Sequence, residues 1–337
     1  IIINKINLVL NMQIIVTGGA GFIGCHLVEL LLKKKHKVTV IDNLSTGRFE
    51  NIHKFKSKIN FIKADISKKG KWINFFKKAE AVYHLAALAD IVPSIQNPNK
   101  YFQSNVIGTK NIIEASIKYN IKKVIYSASS SCYGIPKKYP TSEDSKIDPR
   151  YPYALTKMLG ESILLHYGKV YGIKILSLRL FNVYGTKSRT SGTYGAMFGV
   201  FLKQMIAKQP LTVVGSGKQK RDFTYVTDIV NAFYKGLNYN CKINVMNVGT
   251  GNPVSINRIV KLLKSKKITI PKRPGEPDIT HAKISKVKKE LNWKAKINIQ
   301  EGIKLLLKDI KYWDKAPLWT KDKIKKATKD WFKYLKK

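Results

Sequence analysis

A chain of 337 residues, 44% of them hydrophobic, can build one large α/β domain or two smaller ones around a proper core. No stretch approaches the ~20 apolar residues of a membrane helix, and Cys25, Cys132 and Cys241 stand far apart with no CxxC pair, which excludes a disulfide framework or a cysteine-rich zinc site. The net charge of +41 is not a nucleic-acid signature, because only seven of the 62 basic residues are arginine and the lysines run from end to end. We therefore expect no nucleic-acid, membrane or metal partner, a reducing cytoplasmic setting, and a positive field that favours anionic nucleotide ligands.

Residues 1–11 are apolar but interrupted by Asn4, Lys5 and Asn7, and they lack a small-residue cleavage site. They read as an arm outside the fold and not as a signal peptide, with Met12 directly before the first strand. Gln13 to Thr17 is a short apolar strand ending in glycines, and Phe22 to Lys34 has helical periodicity. Strands follow at Lys37 to Ile41, Asn60 to Ala64, Ala81 to Leu85 and Lys123 to Ser127, with helices at Asn97 to Tyr119 and Tyr153 to Tyr171. This alternation predicts an α/β fold: a Rossmann-type doubly wound parallel sheet with helices on both faces.

After a strand at Ile173 to Leu178 the pattern loosens, with loops expected at Lys187 to Gly195, Gly215 to Lys220 and Pro271 to Pro277. Lys242 to Val248 reads as a strand returning to the sheet, and helices follow at Ser285 to Leu291 and Gln300 to Tyr312. The expected organisation is a Rossmann domain, 12–180 with 223–250 returning to it, and a smaller, discontinuous C-terminal substrate lobe, 181–222 with 251–318. The remainder, 319–337, contains an amphipathic helix over Thr320 to Leu335, with Ile324, Trp331 and Leu335 on one face and lysines on the other. Packing against the body is its first reading; a membrane-surface or partner helix is the second.

Gly18-x-x-Gly21-x-x-Gly24 follows a strand and opens a helix. Missing Cβ atoms allow a tight turn and close approach of backbone to a pyrophosphate, which then faces the free N–H groups of the helix N-terminus. Asp42, at the end of the second strand, is placed to accept bonds from adenosine ribose hydroxyls and to repel a 2′-phosphate, which favours NAD over NADP. Asp65 follows the third strand, in position to meet the adenine edge.

Tyr153 stands four residues ahead of Lys157, one helical turn away on the same face. A tyrosine ionises near pH ~10, so a neighbouring lysine that favours the phenolate would make it a usable base. Ser129, upstream, could donate to the same substrate oxygen and complete a proton relay.

These elements together resemble the extended short-chain dehydrogenase/reductases, in their nucleotide-sugar epimerase/dehydratase branch. The likeness rests on TGGAGFIG at 17–24, Asp42, HLAA at 84–87, Asn105-Val106, SSSCYG at 129–134, Tyr153-x-x-x-Lys157, LRLFNVYG at 178–185, RDFTYVTD at 221–228 and RPGEPD at 273–278. It implies that NAD is held by Gly18, Gly21, Phe22, Ile23, Gly24, Asp42, Asn43, Asp65, Ile66, Leu85, Ala86, Ala87 and Asn105, together with Tyr153 and Lys157. It also implies that Tyr153 removes a sugar hydroxyl proton while Lys157 lowers the tyrosine pKa, with Ser129 bonding the reacting oxygen.

Ser130 and Ser131 occupy positions where the branch's dehydratases carry Asp and Glu and its decarboxylases carry Glu at the second. With neither carboxylate present, the expected chemistry is C4 epimerisation of a UDP-hexose, UDP-glucose/UDP-galactose or the N-acetyl or uronate analogues. A dehydratase, decarboxylase or 4-ketoreductase of the same family is the alternative. On the substrate side the resemblance implies Ser129, Ser130, Ser131, Tyr153, Asn182, Arg221, Arg273 and Glu276, the arginines on the diphosphate and Glu276 on the uridine ribose. Thr280, where a bulky residue would exclude N-acetyl groups, hints at a roomy pocket. The branch pairs as homodimers through a four-helix bundle, here the helices at 97–119 and 153–171.

Overall fold

Seven short runs rich in valine, isoleucine and leucine form one parallel sheet in the computed structural model, which describes residues 11–188, 197–240 and 242–335. The arm at 1–10, the predicted loop from 189 onward to 195, Cys241 and residues 336–337 lie outside the described residues. In spatial order the strands are Ile243–Val248, Lys174–Leu180, Lys123–Ser129, Ala81–His84, Gln13–Thr17, Lys37–Asp42 and Ile59–Lys63. The chain therefore starts near the centre, winds outward to one edge, crosses back over the first strand and winds to the other edge.

Side-chain alternation explains why both faces are covered. Ile14 and Val16 point into one core with Val28 and Leu31 of the helix Phe22–Lys33 and Ile229 and Phe233 of the helix Val226–Asn238. Ile15 points the other way, into a core with Ile112 and Leu164 from the helices Gly108–Lys118 and Pro152–Tyr171. Strands sandwiched in this way have no polar face, which is why they read as nearly continuous apolar runs. The doubly wound parallel fold is as expected.

A further apolar cluster gathers Tyr184, Phe201, Leu211, Ile259, Leu306 and Trp313 beyond the strand ends. Small two-stranded sheets organise it, Leu211–Val214 beside Lys267–Ile270 and Lys220–Arg221 beside Val254–Ser255.

Three helices differ from expectation, the one predicted at Gln300 to Tyr312 ending at Lys308 before a short 3₁₀ turn over Ile310–Trp313. The stretch at 97–119 is helical from Pro98 to Lys118, but a wide π turn over Gln103–Ile107 interrupts its regular α-helical winding between Pro98–Phe102 and Gly108–Lys118. The C-terminal helix is split at Thr328 into Lys321–Ala327 and Lys329–Tyr334, and the Thr328 hydroxyl donates to the Ile324 carbonyl at 2.8 Å. Such back-bonding by a β-branched hydroxyl competes with the regular helix. Ile324 and Trp331 nonetheless share the buried face, and the segment packs on the body. Among the described residues no helix is long and apolar enough to cross a membrane.

Candidate active site

The carboxyl ends of the central strands open into a cleft of about 680 Å³, as doubly wound sheets favour where the strand order reverses. Its nucleotide end is built from backbone. Gly18 has φ +71°, and a Cβ there would stand 2.7 Å from the Ala86 nitrogen; one at Gly24 would stand 2.1 Å from the Gly18 carbonyl oxygen. The helix that follows starts at Gly21 with no side-chain cap and no acidic residue in its first turn. Its first N–H groups are thus left for a ligand anion, and Phe22, Ile23 and Gly24 line the cleft.

Asp42 ends the second strand and is buried, its Oδ2 accepting from the Ala20 N–H at 3.0 Å and its Oδ1 from the Leu44 N–H at 2.8 Å. Burial raises its carboxyl pKa against the pull of those two bonds. Asp65 shows the opposite balance. Burial pushes it up, but bonds from Ser67 and Asn43 outweigh that and leave its pKa lowered. Asn43, Ile66, Leu85, Ala86 and Ala87 border the same end.

Asn105 does not lie on the cleft wall as expected. The π turn aims its amide inward, where Oδ1 accepts from the Leu88 N–H at 2.8 Å and Nδ2 donates to the Leu88 carbonyl and the Thr156 hydroxyl, each at 3.0 Å. It braces the wall and the helix that carries Tyr153. His84 plays a similar part, bonded to Thr17 at 2.7 Å and Thr109 at 2.8 Å, and burial holds its pKa down to about 3.

Ser129 ends the fifth strand of the chain, its Oγ accepting from the Ser131 N–H at 3.2 Å and lying 2.8 Å from the Ser131 hydroxyl. Tyr153 sits at the start of the helix Pro152–Tyr171 and lines the cleft with Ser129, its ring nearly parallel to that of Tyr151 at 6.3 Å. Lys157 follows one turn later, buried, with its ammonium 4.2 Å from the centre of the Tyr126 ring. Ser129, Tyr153 and Lys157 all line the cleft. Burial raises the Tyr153 pKa; the Ser129 bond lowers it, while Asp90 and Cys132 add to the rise. Lys157 is itself pushed down from 10.5 to about 7 by burial, with Glu161 only partly restoring it.

The substrate end is built from side chains that are distant in sequence. Asn182 lines the cleft, and its Oδ1 accepts from the Thr280 hydroxyl at 2.6 Å, which assigns the donor end of the amide to a ligand. Thr280 is thereby an orienting residue as well as a small one. Arg221 is buried, and its Nη2 donates to Glu276 Oε1 at 3.0 Å, so Glu276 enters the cleft already paired. Arg273 lies with its guanidinium 5.3 Å from the centre of the Trp331 ring. Ser130 and Ser131 complete the wall beside Ser129. Tyr151, Asp90 and Trp331 line the cleft without having been expected there. Tyr151 had a signal in its place two residues before Tyr153; Asp90 and Trp331 had none tied to the site.

Comparison with known proteins bears directly on this geometry. The sequence matches the NAD dependent epimerase/dehydratase family over residues 14–249. The chain belongs to that family. A UDP-glucuronate 4-epimerase of Thermodesulfobacterium geofontis is 36% identical over 86% of this chain and 93% of its own length. Among solved structures, a UDP-glucose 4-epimerase from Thermotoga maritima with UDP-glucose superposes with a TM-score of 0.83 at 32% identity, covering 89% of this chain and 99% of that one. A UDP-N-acetylglucosamine 4-epimerase from Methanobrevibacter ruminantium, in complex with UDP-N-acetylmuramic acid, gives the same score, identity and coverage.

The dinucleotide in the family's name suits the residues present in this family member. The glycine turn has no room for a Cβ at Gly18 or Gly24, the helix N-terminus is uncapped, and a buried carboxylate stands at Asp42. Among the described residues no group of three or more His, Cys, Asp or Glu side chains is arranged to hold a metal ion.

Proposed function

We propose that this protein is an NAD-dependent 4-epimerase of a UDP-hexose. The observation that carries the reading is that Ser129 and Tyr153 share one cleft with the glycine turn, Arg221 and Arg273. Bound NAD would supply the hydride acceptor. Tyr153 takes the proton of the sugar 4-hydroxyl, and Ser129 donates a hydrogen bond to the same oxygen as it becomes a carbonyl. Arg221 and Arg273 hold the diphosphate, so that the 4-keto sugar can turn over and receive hydride on its other face as Tyr153 returns the proton. No net oxidation results.

Gly18, Gly21, Phe22, Ile23 and Gly24 would meet the pyrophosphate, and Asp42 the adenosine ribose. Asn43, Asp65 and Ile66 would flank the adenine. Leu85, Ala86 and Ala87 would border the nicotinamide side with Lys157. Ser130, Ser131, Asn182 and Glu276 complete the substrate set. In this reading 12–180 with 223–250 acts as the nucleotide domain, and 181–222 with 251–318 as the substrate lobe. Two copies would pair through the helices at 98–118 and 152–171, whose Phe102, Leu155, Val170 and Tyr171 are exposed. The buried thiols of Cys25 and Cys132 suit a reducing cytoplasm.

The test is to incubate the purified protein with UDP-glucose, UDP-glucuronate and UDP-N-acetylglucosamine and to identify products by NMR. The C4 epimer of at least one should form without net consumption of NAD or NADH. Accumulation of a 4-keto-6-deoxy sugar or a pentose would overturn the reading.

A further inference from the structure

The short helix Lys329–Tyr334 touches three walls of the cleft at once, although it lies far beyond residues 14–249 where the family match ends. Trp331 lies 3% exposed and lines the cleft itself. Its indole Nε1 donates to the Pro274 carbonyl at 2.7 Å, inside the loop that bears Arg273 and Glu276. Its ring lies 5.3 Å from the Arg273 guanidinium and 6.4 Å from the ring of Tyr151, the neighbour of Tyr153. The adjacent Asp330 accepts from the Gln96 amide at 2.9 Å, tying in the helix Ile91–Gln96, whose first residues border the cleft.

A six-residue helix has no stability of its own, so these contacts and the burial of Ile324 hold it in place. Once held, it restricts the Arg273 loop. A loop arginine must lose side-chain freedom to bind an anion, and a guanidinium already lying against an indole has less to lose. The Nε1 bond fixes the loop backbone in the same way.

Resting on the epimerase reading, we propose that Trp331 is a positioning residue for the substrate. It holds the Arg273–Glu276 loop against Tyr151 and pre-forms the part of the cleft that receives the nucleoside diphosphate. The C-terminal segment is then a working part of the substrate site.

The test uses Trp331→Ala and Trp331→Phe in the full chain, with UDP affinity measured by calorimetry and with KM and kcat for the best UDP-sugar. Trp331→Ala should weaken UDP binding and raise KM about tenfold, the scale of one lost anchor contact, while kcat and NAD content stay within about twofold of the wild type. Trp331→Phe keeps a ring for Arg273 but loses the bond to Pro274, and should fall between the two. Unchanged UDP affinity in both variants overturns the proposal, as does a joint loss of UDP affinity, NAD content and thermal stability in both. Normal turnover with no variant effect on UDP affinity would sink this inference alone. An inactive wild type whose UDP affinity still depends on Trp331 would sink the reaction assignment alone.

Discussion

The two ends of the cleft are made in different ways. The nucleotide end is mostly main chain, with Gly18, Gly21 and Gly24 contributed by one turn and its limits set by distances to Ala86 and to the turn's own carbonyl. The substrate end is made of long side chains, with Asn182, Arg221, Arg273 and Trp331 arriving from separate segments and held by one another. A backbone cradle cannot absorb an added methyl group, because close-packed main chain has nowhere to go. A side-chain pocket can lose a group and keep its shape while losing affinity. One end should therefore fail in an all-or-none way and the other by degrees, with Tyr153 at the seam.

The largest effect is expected at that seam. Tyr153→Phe would remove the proposed proton acceptor and should cut turnover by about 10³-fold or more, with UDP affinity close to wild type, as stopped assays by NMR and calorimetry would check. Gly18→Ala is the sharpest challenge to the backbone end. Its Cβ would fall 2.7 Å from the Ala86 nitrogen at a φ of +71°, so the variant should purify without NAD and melt at lower temperature, with a stability loss of about 1–3 kcal/mol. Wild-type NAD content in this variant would break the comparison.

Arg221→Ala should act by degrees. Losing a charge-assisted contact and leaving Glu276 without its partner should raise KM for the UDP-sugar by about thirtyfold, or about 2 kcal/mol, with a smaller change in kcat. The smallest effects are on pH dependence. Asp90 raises the Tyr153 pKa, so Asp90→Asn should move the limb of the pH–rate profile that reports Tyr153 to lower pH. Lys157 adds a stability signature. Its native pKa of about 7 lies below the usual 10.5, so between those values the unfolded chain binds more protons and stability rises with pH. Below about 7 both states are protonated and that contribution no longer changes. Lys157→Met should flatten the slope, which cannot exceed about 1.4 kcal/mol per pH unit for one proton. Melting curves taken across that window would show it.

Legibility in the sequence followed the same division. The glycine turn, Asp42 and the Tyr153/Lys157 pair could be read because each is a local pattern whose chemistry depends on fixed spacing along a strand, turn or helix. The alternating strands and helices were equally plain, since burial on both faces leaves an apolar run in the central strands. The sequence could not reveal that Asn105 turns inward through a π turn, that Glu276 is paired with Arg221, or that Trp331 reaches the cleft from the C-terminal end. Nor could it give the direction of the pKa shifts at Tyr153 and Lys157, which follow from how deeply each is buried.

By itself, then, the sequence determined the doubly wound sheet, the glycine turn and the Tyr153/Lys157 spacing on one helix. These depend on periodicity and on contacts between near neighbours, which chain order carries directly. Only the tertiary structure decided which residues wall the substrate end, which of the expected contacts are already engaged within the protein, and how charged the central lysine is. Those properties come from long-range packing and desolvation, and they arise only when segments as far apart as Gln96, Tyr151, Pro274 and Trp331 are brought together.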